Sequence, residues 1–162
     1  MHSRVDEQQQ KAEPRVFISY SHEDENWAKD FARLVEEHGI SVWLDIEDVP
    51  HGAVIAETVE RALRGSNILV VLVPEDLAKQ PNLLFELGAA IGMGKTVVPI
   101  VPRDLGPSVL PGFLRGRGYL IKDIPATTAQ LFISELQRSD SLERFSRHRE
   151  GGDNHPPKDA NR

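Results

Sequence analysis

Cysteine is absent from this 162-residue chain, which excludes disulfides, zinc knuckles and thiol nucleophiles. An excess of positive charge is absent too. Lysine and arginine number 19 against 25 aspartates and glutamates, for a formal net charge of −6. General nucleic-acid binding needs a basic surface to meet phosphates, so it is not expected. The longest apolar run, Ile68–Pro74, falls far short of the roughly 20 residues that span a bilayer. No membrane partner is expected. Met1–Gln10 is polar without an apolar centre, so no secretory signal is expected there, and the expected setting is cytoplasmic.

Several catalytic signatures are missing as well. Gly94-Lys95-Thr96 resembles the end of a phosphate-binding loop, but the glycine needed five positions earlier is Ala89. The order of elements there is also helix then strand, the reverse of what cradles a phosphate. No Gly-x-Ser-x-Gly elbow exists for a hydrolase serine. A phosphoacceptor receiver needs acidic residues at the end of its first strand, where this chain has Ser19 and Tyr20. His22, His38 and His51 lack metal-ligand spacing, so no metal site and no resident cofactor are expected.

What is present is enough for one domain with a core, flanked by polar tails at residues 1–14 and 139–162. Between them, apolar strand-like runs alternate with helical patterns. Arg15–Tyr20 reads as the first strand, and Ser21 or Asp24 as the cap of a helix carrying Trp27, Phe31, Leu34 and Val35 on one face. Ile40–Leu44 is the second strand, followed by the acidic loop Asp45–Gly52. Ile55, Val59, Ala62 and Leu63 form the inner face of a second helix. Asn67–Val73, the most apolar strand, belongs at the centre of the sheet. A helix beginning near Pro81 leads into the buried strand Thr96–Val101. A Pro- and Gly-rich loop, Pro102–Gly118, precedes a weak strand at Tyr119–Ile121 and a helix capped by Thr127 or Thr128. That helix carries Leu131, Phe132, Glu135 and Leu136. Such alternation predicts an α/β fold: a five-stranded parallel sheet in a flavodoxin-like three-layer sandwich. Ligands in such folds sit beyond the carboxyl ends of the strands.

One residue in this frame is out of keeping with its neighbours. On the third helix Leu83, Leu87, Ala90 and Ile91 share an apolar face, and Glu86 sits at its edge. A carboxylate there is costly unless solvated in a cleft or paired, and it suits catalysis. Most edge glutamates are merely solvated flanks; the surrounding motifs argue for more.

Three segments stand together in order: Val16-Phe17-Ile18-Ser19-Tyr20-Ser21, Gly39–Asp45 with its loop to Gly52, and Phe85–Ala90 running into Lys95–Ile100. Together they resemble the Toll/interleukin-1 receptor (TIR) domain, especially its bacterial branch, over Arg15 to Leu136. The resemblance implies the TIR fold across residues 15–138 and an NAD⁺ glycohydrolase or cyclase activity in signalling or anti-phage defence. It makes NAD⁺ a substrate, with Glu86 as the catalytic acid. Tyr20, Ser21, Asp45 and Val54 would contact the substrate, and the Asp45–Gly52 loop would join neighbouring TIR domains in self-assembly. Two positions depart from the family pattern: Asn82 stands where a tryptophan is frequent, and Val54 where active members often carry an aromatic. The chemistry stands on its own terms, because breaking the nicotinamide–ribose bond builds an oxocarbenium-like centre that a carboxylate stabilises. The competing readings are a non-enzymatic TIR adaptor and a nucleoside 2-deoxyribosyltransferase-like enzyme.

Overall fold

The structure, a computed structural model, describes residues 13–44 and 53–138, with side chains from residue 57 onward in the second segment. The expected tails (apart from Glu13 and Pro14) and the Asp45–Gly52 loop lie outside the described residues. Nine main elements follow in order: β1 (Arg15–Ser19), α1 (Glu25–Glu36), β2 (Ser41–Leu44), α2 (Ala53–Gly65), β3 (Ile68–Leu72), α3 (Pro81–Gly92), β4 (Thr96–Pro102), β5 (Leu120–Lys122) and α4 (Pro125–Gln137). The five strands form one sheet in the order β2-β1-β3-β4-β5, with every pairing parallel. This is the predicted doubly wound architecture. The chain reverses its direction of winding between β1 and β3, which makes the carboxyl ends of these two strands the topological switch point. No helix among the described residues is long and apolar enough to cross a membrane.

Alternation along the strands builds two cores. Val16, Ile18 and Tyr20 of the β1 segment, with Val70, Leu72, Val98 and Ile100, pack against Phe31 and Val35 of α1 and Phe132 of α4. Phe17, Leu69, Val71, Val97 and Val101 pack on the opposite face against Leu63 of α2 and Leu83, Leu87 and Ala90 of α3. Every residue of β3 is buried, as expected for the central strand.

Local chemistry fixes the ends of these elements. Gly94, at φ 71°, terminates α3. Lys95 N–H donates to Ala90 C=O and Gly94 N–H to Ile91 C=O, the paired bonds of a left-handed helix stop. Asn67 ties β3 to the start of β1. Its side-chain oxygen accepts from Arg15 N–H at 2.8 Å, and its side-chain amide donates to Glu13 C=O at 2.9 Å.

Three expectations are corrected, and one loop proves to carry core residues. Neither Ser21 nor Asp24 caps a helix with its side chain. The Asp24 carboxylate is engaged instead by Lys122 at 2.7 Å and by the Ser21 hydroxyl at 3.3 Å. Nor does Thr127 or Thr128 cap α4, which starts at Pro125. The Thr128 hydroxyl accepts from Asp123 N–H and donates to Ile121 C=O, bracing the turn that enters the helix. Leu131 is exposed, because the buried face of α4 runs through Thr128, Ala129, Phe132 and Ile133. The Pro- and Gly-rich stretch after β4 is more than a connector, since Leu110 and Leu114 from it are buried in the α2/α3-side core.

Candidate active site

The switch point lies where Ser19 of β1 stands beside Val71 of β3. The residues that follow β1 divide between the two faces. Tyr20 is buried in the α1/α4-side core, and Ser21 is buried beside it. Ser19 alternates with Tyr20 and therefore shares the face of Phe17, turned toward α2 and α3. Its side chain is 0% exposed, and its hydroxyl has no hydrogen-bond partner among the described residues. A buried hydroxyl left in that state costs about 1–3 kcal/mol.

α3 runs antiparallel to the strands, so its first turns stand at the same rim. Its wheel assigns roles to both flanks. Leu83, Leu87 and Ala90 form the centre of the buried face. Leu84, Gly88 and Ile91 form one flank, which opens on a groove of about 390 Å³ shared with Phe113 and Arg117 from the segment between β4 and β5. Glu86 falls on the other flank, away from that groove. It is only 4% exposed, so the edge position expected from sequence is in fact a buried one. Phe85 points outward and is 74% exposed.

The sequence candidates thus separate. Glu86 is buried on α3, which packs on the α2/α3 side of the sheet, the side that Ser19 at the end of β1 shares with Phe17. Tyr20 and Ser21 adjoin that end, but Tyr20 packs toward the opposite face. Asp45 lies outside the described residues, and so does the side chain of Val54. Ser19 was not among the candidates. Its signal was a hydroxyl ending an otherwise apolar strand, in phase with Phe17 rather than with Tyr20. Of the histidines weighed as ligands, His22 lies 3.8 Å from Glu25, His38 Nδ1 lies 2.9 Å from Leu34 C=O at the end of α1, and His51 is outside the described residues.

A doubly wound parallel sheet flanked by helices defines the class of the protein: an α/β domain of flavodoxin-like architecture. The comparisons with known proteins narrow this to a family. A TIR domain family model matches residues 16–130, and the chain belongs to the TIR family. Over 70 residues, 43% of this chain, it is 36% identical to a probable 2' cyclic ADP-D-ribose synthase, TcpO, from Methanobrevibacter olleyae. That stretch spans about 20% of the relative's own length. Among solved structures, the TIR domain of a Toll-related receptor from Hydra magnipapillata is 26% identical, with TM-score 0.59 over 76% of this chain and 98% of that one. A CMP N-glycosidase from Clostridium botulinum shares the fold at 17% identity, with TM-score 0.57 over 74% of this chain and 98% of that one.

Proposed function

We propose that this TIR domain breaks the nicotinamide–ribose bond of NAD⁺, with Glu86 as the catalytic carboxylate. The observation that carries the reading is the burial of Glu86, at 4% exposure, on α3. A carboxylate held away from bulk water interacts strongly with a developing oxocarbenium centre. As the C–N bond breaks, its electron pair leaves with nicotinamide, which departs as a neutral base and needs no acid to protonate it. Water then attacks the anomeric carbon and loses a proton, giving ADP-ribose. Attack by a hydroxyl of the same molecule gives a cyclic product instead. The relative named as a cyclic ADP-ribose synthase supports the class of reaction. The chemistry requires no metal or added cofactor, NAD⁺ being the substrate.

A cytoplasmic role in signalling or anti-phage defence rests on the resemblance of the motifs, as does assembly with other TIR domains through residues 45–52. The outward Phe85 favours assembly, because an aromatic ring left mostly in water is the type of side chain that interfaces bury. Assembly also suits the adaptor reading, which differs in needing no chemistry from Glu86. The test is nicotinamide release from NAD⁺ by concentrated protein, followed by chromatography beside the Glu86→Gln variant. Loss of at least about a hundredfold in the variant is expected. Equal release from both proteins removes Glu86 from its role. Release from neither, in the presence of a crowding agent, favours the adaptor.

A further inference from the structure

Ser19 is the polar side chain at the switch point that the fold itself leaves unused. Its hydroxyl donates one hydrogen bond and accepts two, yet it engages no described residue. A fully buried hydroxyl without a partner calls for one, and at a strand end where such sheets take ligands a ligand can supply it. Three observations say which part of a ligand that is. Ser19 ends β1 directly beside Val71 of β3, at the strand-end position where doubly wound sheets take ligands. It faces the α2/α3 side, as Phe17 does. Glu86 occupies the flank of α3 opposite the groove of Phe113 and Arg117, on the same side of the sheet as Ser19.

Resting on the NAD⁺-cleaving reading, we propose that Ser19 is a specificity-determining residue: its hydroxyl hydrogen-bonds a hydroxyl of the ribose whose anomeric carbon reacts at Glu86. The contact selects ribosides over deoxyribosides and holds the sugar while its C–N bond breaks. A site built to bond a sugar hydroxyl rejects the analogue that lacks it, because the protein group is then left buried and unpaired.

The test is a cycle of two proteins against three substrates. Wild type and Ser19→Ala are compared on NAD⁺ and on its analogues lacking the 2'- or the 3'-hydroxyl of the nicotinamide ribose. Taking ratios cancels the intrinsic reactivity of each analogue. With NAD⁺, kcat/KM of Ser19→Ala is expected to fall about tenfold or more. With one of the deoxy analogues the two proteins are expected to be equal within about twofold, and that analogue names the hydroxyl. The melting temperature of Ser19→Ala should match or exceed that of wild type, since an unpaired hydroxyl has been removed. Equal losses on all three substrates, or none on NAD⁺, overturn the proposal. A melting temperature lowered by several degrees also overturns it, by revealing a structural partner. If Ser19→Ala does not fold, the near-isosteric Ser19→Cys takes its place in the cycle. If wild type leaves NAD⁺ intact, the reaction has been misread, and the contact is read from thermal shifts with CMP and dCMP. A larger shift for the ribonucleotide that vanishes in Ser19→Ala upholds the contact with another substrate. No difference between the nucleotides, or one that survives the substitution, sinks it.

Discussion

The two faces of the sheet are built from the same five strands and differ in what they leave unfinished. On the α1/α4 face, Trp27 stacks on Phe31 with ring centroids 5.2 Å apart, and Phe31 meets Phe132 at 5.7 Å. The margin is closed by polar bonds: Trp27 Nε1 donates to Asp123 C=O at 2.8 Å, Arg103 pairs with Asp123, and Lys122 reaches Asp24. The α2/α3 face has an equally apolar floor. It also buries Glu86 and Ser19, and it shows Phe85 and Phe113 to solvent. The first face is stapled by aromatic contacts and ion pairs at its margin; the second carries a buried carboxylate on α3 and a buried hydroxyl at the end of β1.

Substitutions in both faces can break this contrast. The largest effect belongs to the aromatic core: Phe31→Ala should lower unfolding free energy by about 3–5 kcal/mol, read from a denaturant titration. A loss of under 1 kcal/mol there would mean that the α1/α4 face is not the stabilising one. Glu86→Gln should act in the opposite sense. Its activity loss of at least about a hundredfold corresponds to about 2.7 kcal/mol of barrier, with a smaller change in denaturation midpoint than Phe31→Ala produces. A Glu86 variant that unfolds early would instead assign this carboxylate to the framework.

Smaller effects sharpen the picture. Lys122 lies 2.7 Å from Asp24 and 5.6 Å from the centre of the Trp27 ring, with both charged partners only partly exposed. Lys122→Ala should cost about 1 kcal/mol and leave nicotinamide release unchanged. The smallest effect belongs to Lys29. Its hydrogen bond and its charge hold the partly exposed Glu25 carboxyl below the usual range, with a minor contribution from His22. Lys29→Ala should move that carboxyl back up, as seen by NMR titration. A depressed carboxylate favours the fold above its unfolded pKa, and that contribution fades as pH falls through the folded value. Solvent screening at this site should keep the change in midpoint within error.

Sequence legibility follows the same division. Strands and helices were readable wherever apolar residues recur with a clear period, and the differences in strand limits amount to a residue or so. β1 stops at Ser19 rather than Tyr20, and β5 is displaced by one residue to Leu120–Lys122. What failed were local rules overridden by distant partners. Asp24 looks like a helix cap until Lys122, remote in sequence, claims its carboxylate. Trp43 lies on β2, an edge strand, and its ring is 42% exposed, which the apolar pattern of the strand does not reveal. Glu86 was visible as an anomaly in its helix, while its depth depended on how α3 packs on the sheet. Ser19 was hidden by its neighbours: Tyr20 and Ser21 look more chemical, and only the phase of the strand separates them.

Asn67 has a consequence for how the chain comes into being. The bonds it makes to Arg15 and Glu13 reach back 52 and 54 residues, so one edge of β1 stays open until β3 has been synthesised. At about 5–20 residues per second on a ribosome, that leaves the strand unzipped on one side for roughly 3–10 s. During this interval Val16, Phe17 and Ile18 form a short adhesive segment for which a second nascent chain is a competing partner. The asparagine closes the register of the first-made strand against the central one and ends that exposure.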